Sequence, residues 1–220
     1  PKGRTGVSLF PLSAAPSKKA TDNPVAFFFW AAGMPGGLTQ PAFGPQHEER
    51  KMIKVGDTIP AATLMEYVEV EGNGCSIGPN PVDTVKASAG KTIALFALPG
   101  AFTPTCSAKH VPGYVEQHDA LKAAGVDEIW CVSVNDAFVM GAWARDQKTG
   151  VKVRMLGDGD AAFTKATGLT LDLTGKGLGL RSNRYSMLIK NGVVQTLNVE
   201  GPGKFEVSDA ATLLAQAKAA

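Results

Sequence analysis

One continuous apolar run, TIALFAL at 92–98, most constrains how this chain can fold. It lies between Lys91 and Pro99-Gly100, and an apolar run of this length is typical of a strand buried on both faces. A second run of the same kind, EIWCVSV, follows at 128–134. Two such strands separated by helical sequence predict a parallel βαβ unit at the centre of a sheet.

The segment between the two runs carries the signals of a helix. Thr103 is suited to the N-cap, Pro104 to the first helical position, and Gly125 to the residue just past the end. Pro112 and Gly113 lie inside this segment, and proline lacks the backbone N–H that a helix needs. We therefore predict one long helix with a kink or break at Pro112-Gly113.

Later segments extend the same alternation of strands and helices. The predicted elements, in chain order, are a helix FVMGAWARD capped by Asp136, a strand VRML (153–156), a short helix DAAFTKAT (160–167) stopped by Gly168, a loop over 169–183, a hairpin about Asn191-Gly192, and a helix ATLLAQAKA capped by Ser208-Asp209. A parallel βαβ unit followed by an antiparallel hairpin and a last helix is the thioredoxin-like order. We therefore predict an α/β fold, with a central mixed sheet flanked by helices in a single domain at 52–220.

Residues 1–51 differ in composition from the rest. They hold seven of the 14 prolines and six glycines, and show neither helical nor strand periodicity. We predict a poorly ordered N-terminal extension. Its apolar patch VAFFFWAAGM at 25–34 is shorter than the ~20 residues of a membrane-spanning helix. The alternatives to a disordered extension are an organelle-targeting leader and a stretch that precedes a natural start at Met52.

Charge and cysteine content exclude several functions. Residues 1–51 carry a net charge of +3 and residues 52–220 a net charge of −1, so the main body gives no electrostatic reason to expect a nucleic acid or membrane partner. Three cysteines are too few for a secreted disulfide framework and fit a cytoplasmic protein. The three histidines, His47, His110 and His118, form no cluster with the cysteines, so neither a metal nor another cofactor is predicted.

Cys106 is the candidate nucleophile. With Thr103 as N-cap it lies at the third position of the predicted helix, where unpaired backbone N–H groups and the helix dipole favour a thiolate. Pro99 and Pro104 would shape and rigidify its surroundings. A buried core cysteine at a helix start is the simpler alternative.

The segment PGAFTPTCS, followed by KHVPGYVE, resembles the peroxidatic loop and helix of the peroxiredoxins, in particular the type II, peroxiredoxin-five-like group. The similarity continues through GVDEIWCVSVNDAFVMGAW, GLGLRSNRYSMLI and the hairpin ending in LNVE. It covers nearly all of residues 52–220.

The resemblance implies a thiol-dependent peroxidase that acts in antioxidant defence. Cys106 would be the peroxidatic cysteine, Thr103 and Pro99 its signature partners, and Arg184 the charge partner of the thiolate. A guanidinium there can also donate hydrogen bonds to the peroxide oxygen. Arg181 is the competing candidate. The substrates implied are hydrogen peroxide and alkyl hydroperoxides.

The resemblance leaves two routes for reducing the Cys106 sulfenic acid. Cys131 can act as a resolving cysteine in the same chain, as in the plant-like type II enzymes. Alternatively, Cys131 is only core packing, and glutathione with glutaredoxin, or thioredoxin, reduces Cys106 directly. Cys75, in the loop EGNGCSIGPNP, departs from the family pattern and is interpreted as an incidental exposed thiol.

Other functions fit parts of the pattern. His110 lies four residues after Cys106 and would be the base of a cysteine acyl-hydrolase. A non-catalytic thioredoxin-like binding module would leave Cys106 unreactive. A thiol-disulfide oxidoreductase is disfavoured because no C-x-x-C is present. The family also suggests a homodimer, to which Phe102 would contribute an exposed aromatic ring.

Overall fold

A computed structural model of the chain describes residues 51–68 and 77–220. The interpretations of residues 1–50 and of Cys75 lie outside these described residues. None of the helices in the described ranges is long and apolar enough to span a membrane.

Strands and helices alternate along the described chain. The strands are β1 (Thr63–Val68), β2 (Ile77–Asp83), β3 (Thr92–Leu98), β4 (Glu128–Ser133), β5 (Arg154–Gly157), β6 (Thr170–Leu173), β7 (Gly179–Ser182), β8 (Tyr185–Lys190) and β9 (Val193–Val199). The helices are α1 (Thr84–Ser88), α2 (Val111–Glu116), α3 (His118–Ala123), α4 (Ala137–Asp146), α5 (Ala162–Thr167) and α6 (Ala210–Ala219). A π-helical turn, Cys106–His110, precedes α2.

The main sheet has the strand order β2-β1-β5-β4-β3-β8-β9. Strands β3, β4 and β5 are parallel, while β1, β2, β8 and β9 pair in antiparallel fashion. The predicted mixed sheet flanked by helices is therefore confirmed. Its centre, β3 beside β4, matches the two long apolar runs.

Both faces of β3 are buried, and its side chains divide between two cores. Phe96 and Leu98 face the core that holds Cys106, Cys131 and Tyr114, together with residues of α4 and α6. The opposite core contains Ile93, Leu95 and Ala97, with partners from β5, α5 and β8. Side chains alternate between the two faces of a strand, and since both faces of β3 are buried from Ile93 to Leu98, these positions are all apolar.

The helix after β3 begins as predicted and is interrupted at a different place. The Thr103 carbonyl accepts the first helical bond, from Ser107 N at 3.0 Å. The irregularity comes before Pro112 as a π-helical turn, in which Val111 N donates to Cys106 O, and a second one follows at Gln117. Since Pro112 cannot donate and its ring crowds the carbonyl four residues earlier, the wider turn upstream accommodates it.

The predicted loop over 169–183 is wrong in part. Residues 170–173 and 179–182 form a separate antiparallel pair, β6 with β7. The turn between them uses Gly175 and Gly177, both at positive φ. The strands are only four residues each and their side chains are mostly half-buried or exposed, so the hydrophobic pattern that marks a core strand is absent.

The turn and cap predictions are confirmed elsewhere. Asn191 and Gly192 have φ of 49° and 77° and connect β8 to β9. Asp136 Oδ1 accepts from Val139 N at 2.9 Å at the start of α4, and Asp209 Oδ1 accepts from Thr212 N at 3.0 Å at the start of α6. Gly168, at φ 70°, ends α5.

Gly157, the last residue of β5, packs against the loop that joins β4 to α4. A Cβ there would lie 2.7 Å from the Asn135 carbonyl oxygen and 3.0 Å from Ala137 N. We expect Gly157→Ala to lower the free energy of unfolding by about 1–3 kcal/mol, because backbone rather than a flexible side chain must move. Urea unfolding measures the change.

Gly159→Ala is the matched control. A Cβ at that position would meet its nearest neighbour at 3.9 Å, which is ordinary van der Waals contact. Equal unfolding midpoints for Gly157→Ala, Gly159→Ala and the unsubstituted protein would contradict the packing described here.

Candidate active site

Cys106 lies in the first turn of the helix that follows β3, and it is fully buried. Its turn is fixed to α4, because Trp143 Nε1 donates to Ser107 Oγ at 3.0 Å. The Trp143 ring also contacts Phe102, with centroids 6.2 Å apart. Phe102 has φ of 60°, an unusual backbone conformation for a bulky residue, and unusual conformations of this kind concentrate at functional sites.

The loop from Pro99 to Thr103 is held by short polar contacts. Thr103 Oγ1 donates to the Gly100 carbonyl at 2.8 Å, so its hydroxyl closes the loop rather than capping the helix N–H groups. Asn135 Oδ1 accepts from Ala101 N at 3.0 Å and from a serine hydroxyl at the end of β4. The carboxyl ends of β3 and β4 are adjacent in the sheet, which brings Asn135 to the cysteine loop.

Arg181 and Arg184 occupy different places around this loop. Arg181 Nη1 donates to the Pro99 and Val134 carbonyls, both at 3.4 Å, and its Nε donates to Leu178 O. Arg181 therefore links the start of this loop, at Pro99, to the residue that follows β4. The contact with the cysteine sulfur is made by Arg184 instead.

Arg184 reaches the sulfur and a histidine with the same guanidinium group. Its Nη2 donates to Cys106 Sγ at 3.4 Å, and its Nη1 lies 3.0 Å from His110 Nδ1. Arg184 immediately precedes β8, the strand paired with β3, so the sheet brings it to the helix start. The fork geometry of arginine allows both contacts at once.

His110 accepts from Arg184 because its other ring nitrogen is a donor. Nε2 lies 3.1 Å from the Ser208 carbonyl, which can only accept, so Nε2 carries the hydrogen and Nδ1 is free to accept. Burial, followed by the charge of Arg184, lowers the pKa of His110 to about 3. The ring is therefore neutral near pH 7.

This arrangement does not support the acyl-hydrolase alternative. A general base needs a ring nitrogen available to the nucleophile, yet Nδ1 of His110 is bound to Arg184 and Nε2 to Ser208. His110 instead accepts a hydrogen bond from the arginine.

Aromatic rings surround the His110–Arg184 pair. Phe205 meets His110 edge-on with centroids 5.0 Å apart, and the Arg184 guanidinium carbon lies 5.7 Å from the Phe205 centroid. Tyr114 donates its hydroxyl to the Ser208 carbonyl at 3.0 Å and stacks on Phe96 at 4.0 Å. These contacts exclude water from one side of the pair.

Cys131 is in β4, within the same core as Cys106, and is fully buried. Burial, and then the nearby Cys106, raise the pKa of the Cys131 thiol well above its usual range. The strand is paired on both sides, with β3 and with β5. Both cysteines are free thiols.

The structure thus brings Arg184 into contact with Cys106 and places Pro99 and Thr103 in the loop that precedes it. Sequence reasoning missed Asn135, the part played by His110, and Phe205. Asn135 was detectable in principle, because polar residues that follow neighbouring parallel strands meet at one sheet edge. Within the described ranges, no group of three or more His, Cys, Asp or Glu side chains could hold a metal ion.

The depressed pKa of His110 predicts a specific acid sensitivity. The unfolded histidine binds a proton below pH ~6.5, whereas the folded one does so only near pH 3. Stability should therefore fall as pH drops through this window, by up to about 1.4 kcal/mol per pH unit from this residue. His110→Gln, which keeps a donor and an acceptor, should show a shallower slope in urea unfolding between pH 6 and 4. Parallel slopes would contradict the neutral buried ring.

Known proteins are similar to this chain in sequence and in fold. The Redoxin family profile matches residues 54–214. Peroxiredoxin-2C of Oryza sativa subsp. japonica is 46% identical over 165 residues, which cover 74% of this chain and 96% of the rice protein. Reduced Prx3 from Vibrio vulnificus, in a crystal complex with hydrogen peroxide, is 52% identical with a TM-score of 0.70, covering 76% of this chain and 99% of that one.

A Burkholderia cenocepacia crystal structure, provisionally designated a thioredoxin reductase, is 62% identical, with a TM-score of 0.72 over 75% of this chain and 98% of that one. Its designation differs from that of the other relatives, although the fold is shared. The chain belongs to the redoxin family, and within it to the peroxiredoxins of the type II group.

Proposed function

We propose that this protein reduces hydrogen peroxide and alkyl hydroperoxides at Cys106 and is regenerated by an external thiol. The observation that carries the proposal is the contact of Arg184 Nη2 with Cys106 Sγ at 3.4 Å, in the first turn of a helix. A guanidinium and a helix N-terminus both favour a negatively charged sulfur. The Vibrio relative crystallised with hydrogen peroxide supports a peroxide as substrate.

The reaction begins when the Cys106 thiolate attacks the distal peroxide oxygen. A sulfur–oxygen bond forms as the oxygen–oxygen bond breaks, so the sulfur loses two electrons to the peroxide. The transferred oxygen keeps its hydrogen, giving Cys–SOH. The departing hydroxide or alkoxide takes up a proton and leaves as water or alcohol.

Arg184 would serve both ends of this transfer. Its positive charge first stabilises the thiolate and then the charge that develops on the peroxide oxygens. Because His110 is a neutral acceptor, it holds the guanidinium without cancelling its charge. Thr103, whose hydroxyl lies in the loop before Cys106, would act as a further polar group toward the bound peroxide.

Regeneration would use a thiol from outside the chain, such as glutathione with glutaredoxin, or thioredoxin. Such a thiol displaces water from Cys–SOH to form a mixed disulfide, and a second thiol releases Cys106. Two observations disfavour Cys131 as the resolving residue: it is buried in a central strand, and its raised pKa leaves little thiolate. Pairing it with Cys106 would require that strand or the first helical turn to open.

We also propose a homodimer packed through the surface beside the active site. Phe102 is 54% exposed and Phe138 is 59% exposed, although both are large apolar residues. Both lie on segments that follow central strands, where β3 and β4 end. Burial of exposed aromatic rings is a common driving force for association.

Substitution of the proposed charge partner tests the peroxidase function. Cys106→Ser should abolish peroxide consumption, and Arg184→Met should lower the second-order rate constant with hydrogen peroxide by about 10²–10³-fold. Arg184→Lys keeps the charge but loses the forked guanidinium, so its rate constant should lie between those of Arg184→Met and the unsubstituted protein. Cys131→Ser is the control and should retain the first turnover. Stopped-flow fluorescence measures the rates, and full activity in Arg184→Met would overturn the assigned role.

Mass spectrometry after one equivalent of peroxide distinguishes the two regeneration routes. We expect Cys106 as a sulfenic acid, or as a mixed disulfide once glutathione is added, with Cys131 still a free thiol. A Cys106–Cys131 disulfide as the main product would contradict the external route. The Cys131→Ser variant, which cannot form that disulfide, calibrates the assignment.

A further inference from the structure

Glu200 lies opposite Arg184, the residue that contacts the Cys106 sulfur, at the end of the β8–β9 pair. It follows the last residue of β9, and its backbone N donates to the Arg184 carbonyl at 3.0 Å, continuing the β8–β9 pairing by one residue. Its side chain, however, turns to the segment that leads into α6. Glu200 is thus attached by its backbone to Arg184 and by its carboxylate to the next loop.

One oxygen of Glu200 accepts four hydrogen bonds. Oε1 receives the backbone N–H groups of three consecutive residues and one hydroxyl, each at 2.8 Å; the donors are Glu206 N, Val207 N, Ser208 N and Ser208 Oγ. Hydrogen bonds to an ionised acceptor are roughly twice as strong as neutral ones. Concentrating them on one atom fixes residues 206–208 of the loop 201–208, which leads into α6.

The carboxylate is charged under ordinary conditions. Burial alone would raise the pKa of Glu200, but the N–H groups of Val207, Ser208 and Glu206 outweigh it and hold that pKa below its usual range. Lys204, on the same loop, pairs with the Glu206 carboxylate rather than with Glu200. Oε1 of Glu200 therefore binds the N–H groups of residues 206–208 and the Ser208 hydroxyl.

The loop that Glu200 organises forms part of the active site. Ser208 presents its carbonyl to His110 Nε2, the bond that leaves Nδ1 as the acceptor for Arg184. Phe205 covers both the imidazole ring and the guanidinium. A shift of this loop would move the two partners that keep Arg184 in place.

We propose that Glu200 is a positioning residue for the peroxide reduction proposed above, on which this inference rests. Its carboxylate holds the loop 201–208 so that Ser208 and Phe205 keep His110 and Arg184 aligned with the Cys106 sulfur. Glu200 touches neither the sulfur nor the peroxide. It acts through successive contacts, from Ser208 in the loop to His110 and from His110 to Arg184.

Two substitutions separate the reach of this side chain from its charge. Glu200→Asp keeps the carboxylate but shortens the side chain by about 1.5 Å, one carbon–carbon bond, so the oxygen cannot reach all four donors. Glu200→Gln keeps the reach and an acceptor oxygen but loses the charge. Glu116→Gln, at the exposed end of α2, controls for removing one negative charge elsewhere.

Three readouts are measured on the full chain. They are the second-order rate constant with hydrogen peroxide, the iodoacetamide alkylation rate of Cys106, and the NMR signal of the His110 Nε2 proton. We expect Glu200→Asp to lower the peroxide rate constant about 10–100-fold, as ~1 Å misplacements do, and to weaken the protection of the His110 proton. Glu200→Gln, which keeps an acceptor oxygen but loses the charge, should fall between Glu200→Asp and the wild type, and Glu116→Gln should match the wild type.

Wild-type rates in Glu200→Asp would overturn the proposal. So would a slow Glu200→Asp whose His110 proton signal is unchanged, because the defect would then not pass through the histidine. If the unsubstituted protein failed to reduce peroxide, the proposed function would fall. The alkylation rate and the His110 signal would still decide whether Glu200 positions Arg184 against Cys106.

Discussion

The site depends on one contact, the donation of Arg184 Nη2 to the sulfur of Cys106. A charged guanidinium beside a buried sulfur is useful only if it is held in place and keeps its charge. Most side chains that bind arginine tightly are carboxylates, which would cancel much of that charge. Here the partner is His110, which is neutral because burial and the arginine itself keep it unprotonated.

The tautomer of His110 is fixed by residues distant in sequence, whereas its neutrality comes from burial and from Arg184. The Ser208 carbonyl fixes the tautomer, and Glu200 fixes the loop that carries Ser208. The β8–β9 pairing then returns to Arg184 through the Glu200 backbone. The contacts thus connect Cys106, His110, Ser208, Glu200 and Arg184 in a ring. They join the helical turn after β3, the segment before α6 and the end of the β8–β9 pair.

Sequence reasoning succeeds where the determinants are local. The apolar run at 92–98 predicts β3 because both of its faces are buried, and Thr103 with Pro104 predicts the helix start because these residues act within one turn. The short strands β6 and β7 escape prediction because they lie outside the cores and carry no strong pattern. The sequence predicts a kink at Pro112-Gly113, whereas the structure accommodates the steric conflict one turn earlier, in the π-helical turn Cys106–His110.

The site shows the same division. The position of Cys106 in the predicted helix indicates a nucleophile, but only the family resemblance indicates Arg184, since an arginine at the start of a strand is usually solvated. For His110 the sequence shows only its spacing from Cys106, which allows the base of the alternative acyl-hydrolase and does not indicate a contact with Arg184. Its actual partners come from residues 74 and 98 positions away in sequence, which no local pattern encodes.

A double-mutant cycle on the peroxide rate constant tests the central claim most directly. If His110 acts through Arg184, His110→Leu should lower the peroxide rate constant strongly when Arg184 is present and only slightly in the Arg184→Met background. The expected coupling free energy is at least about 1 kcal/mol, in the range found for residues in one network. Additive effects, within about 0.5 kcal/mol, would show that the histidine and the arginine act independently and would contradict this account.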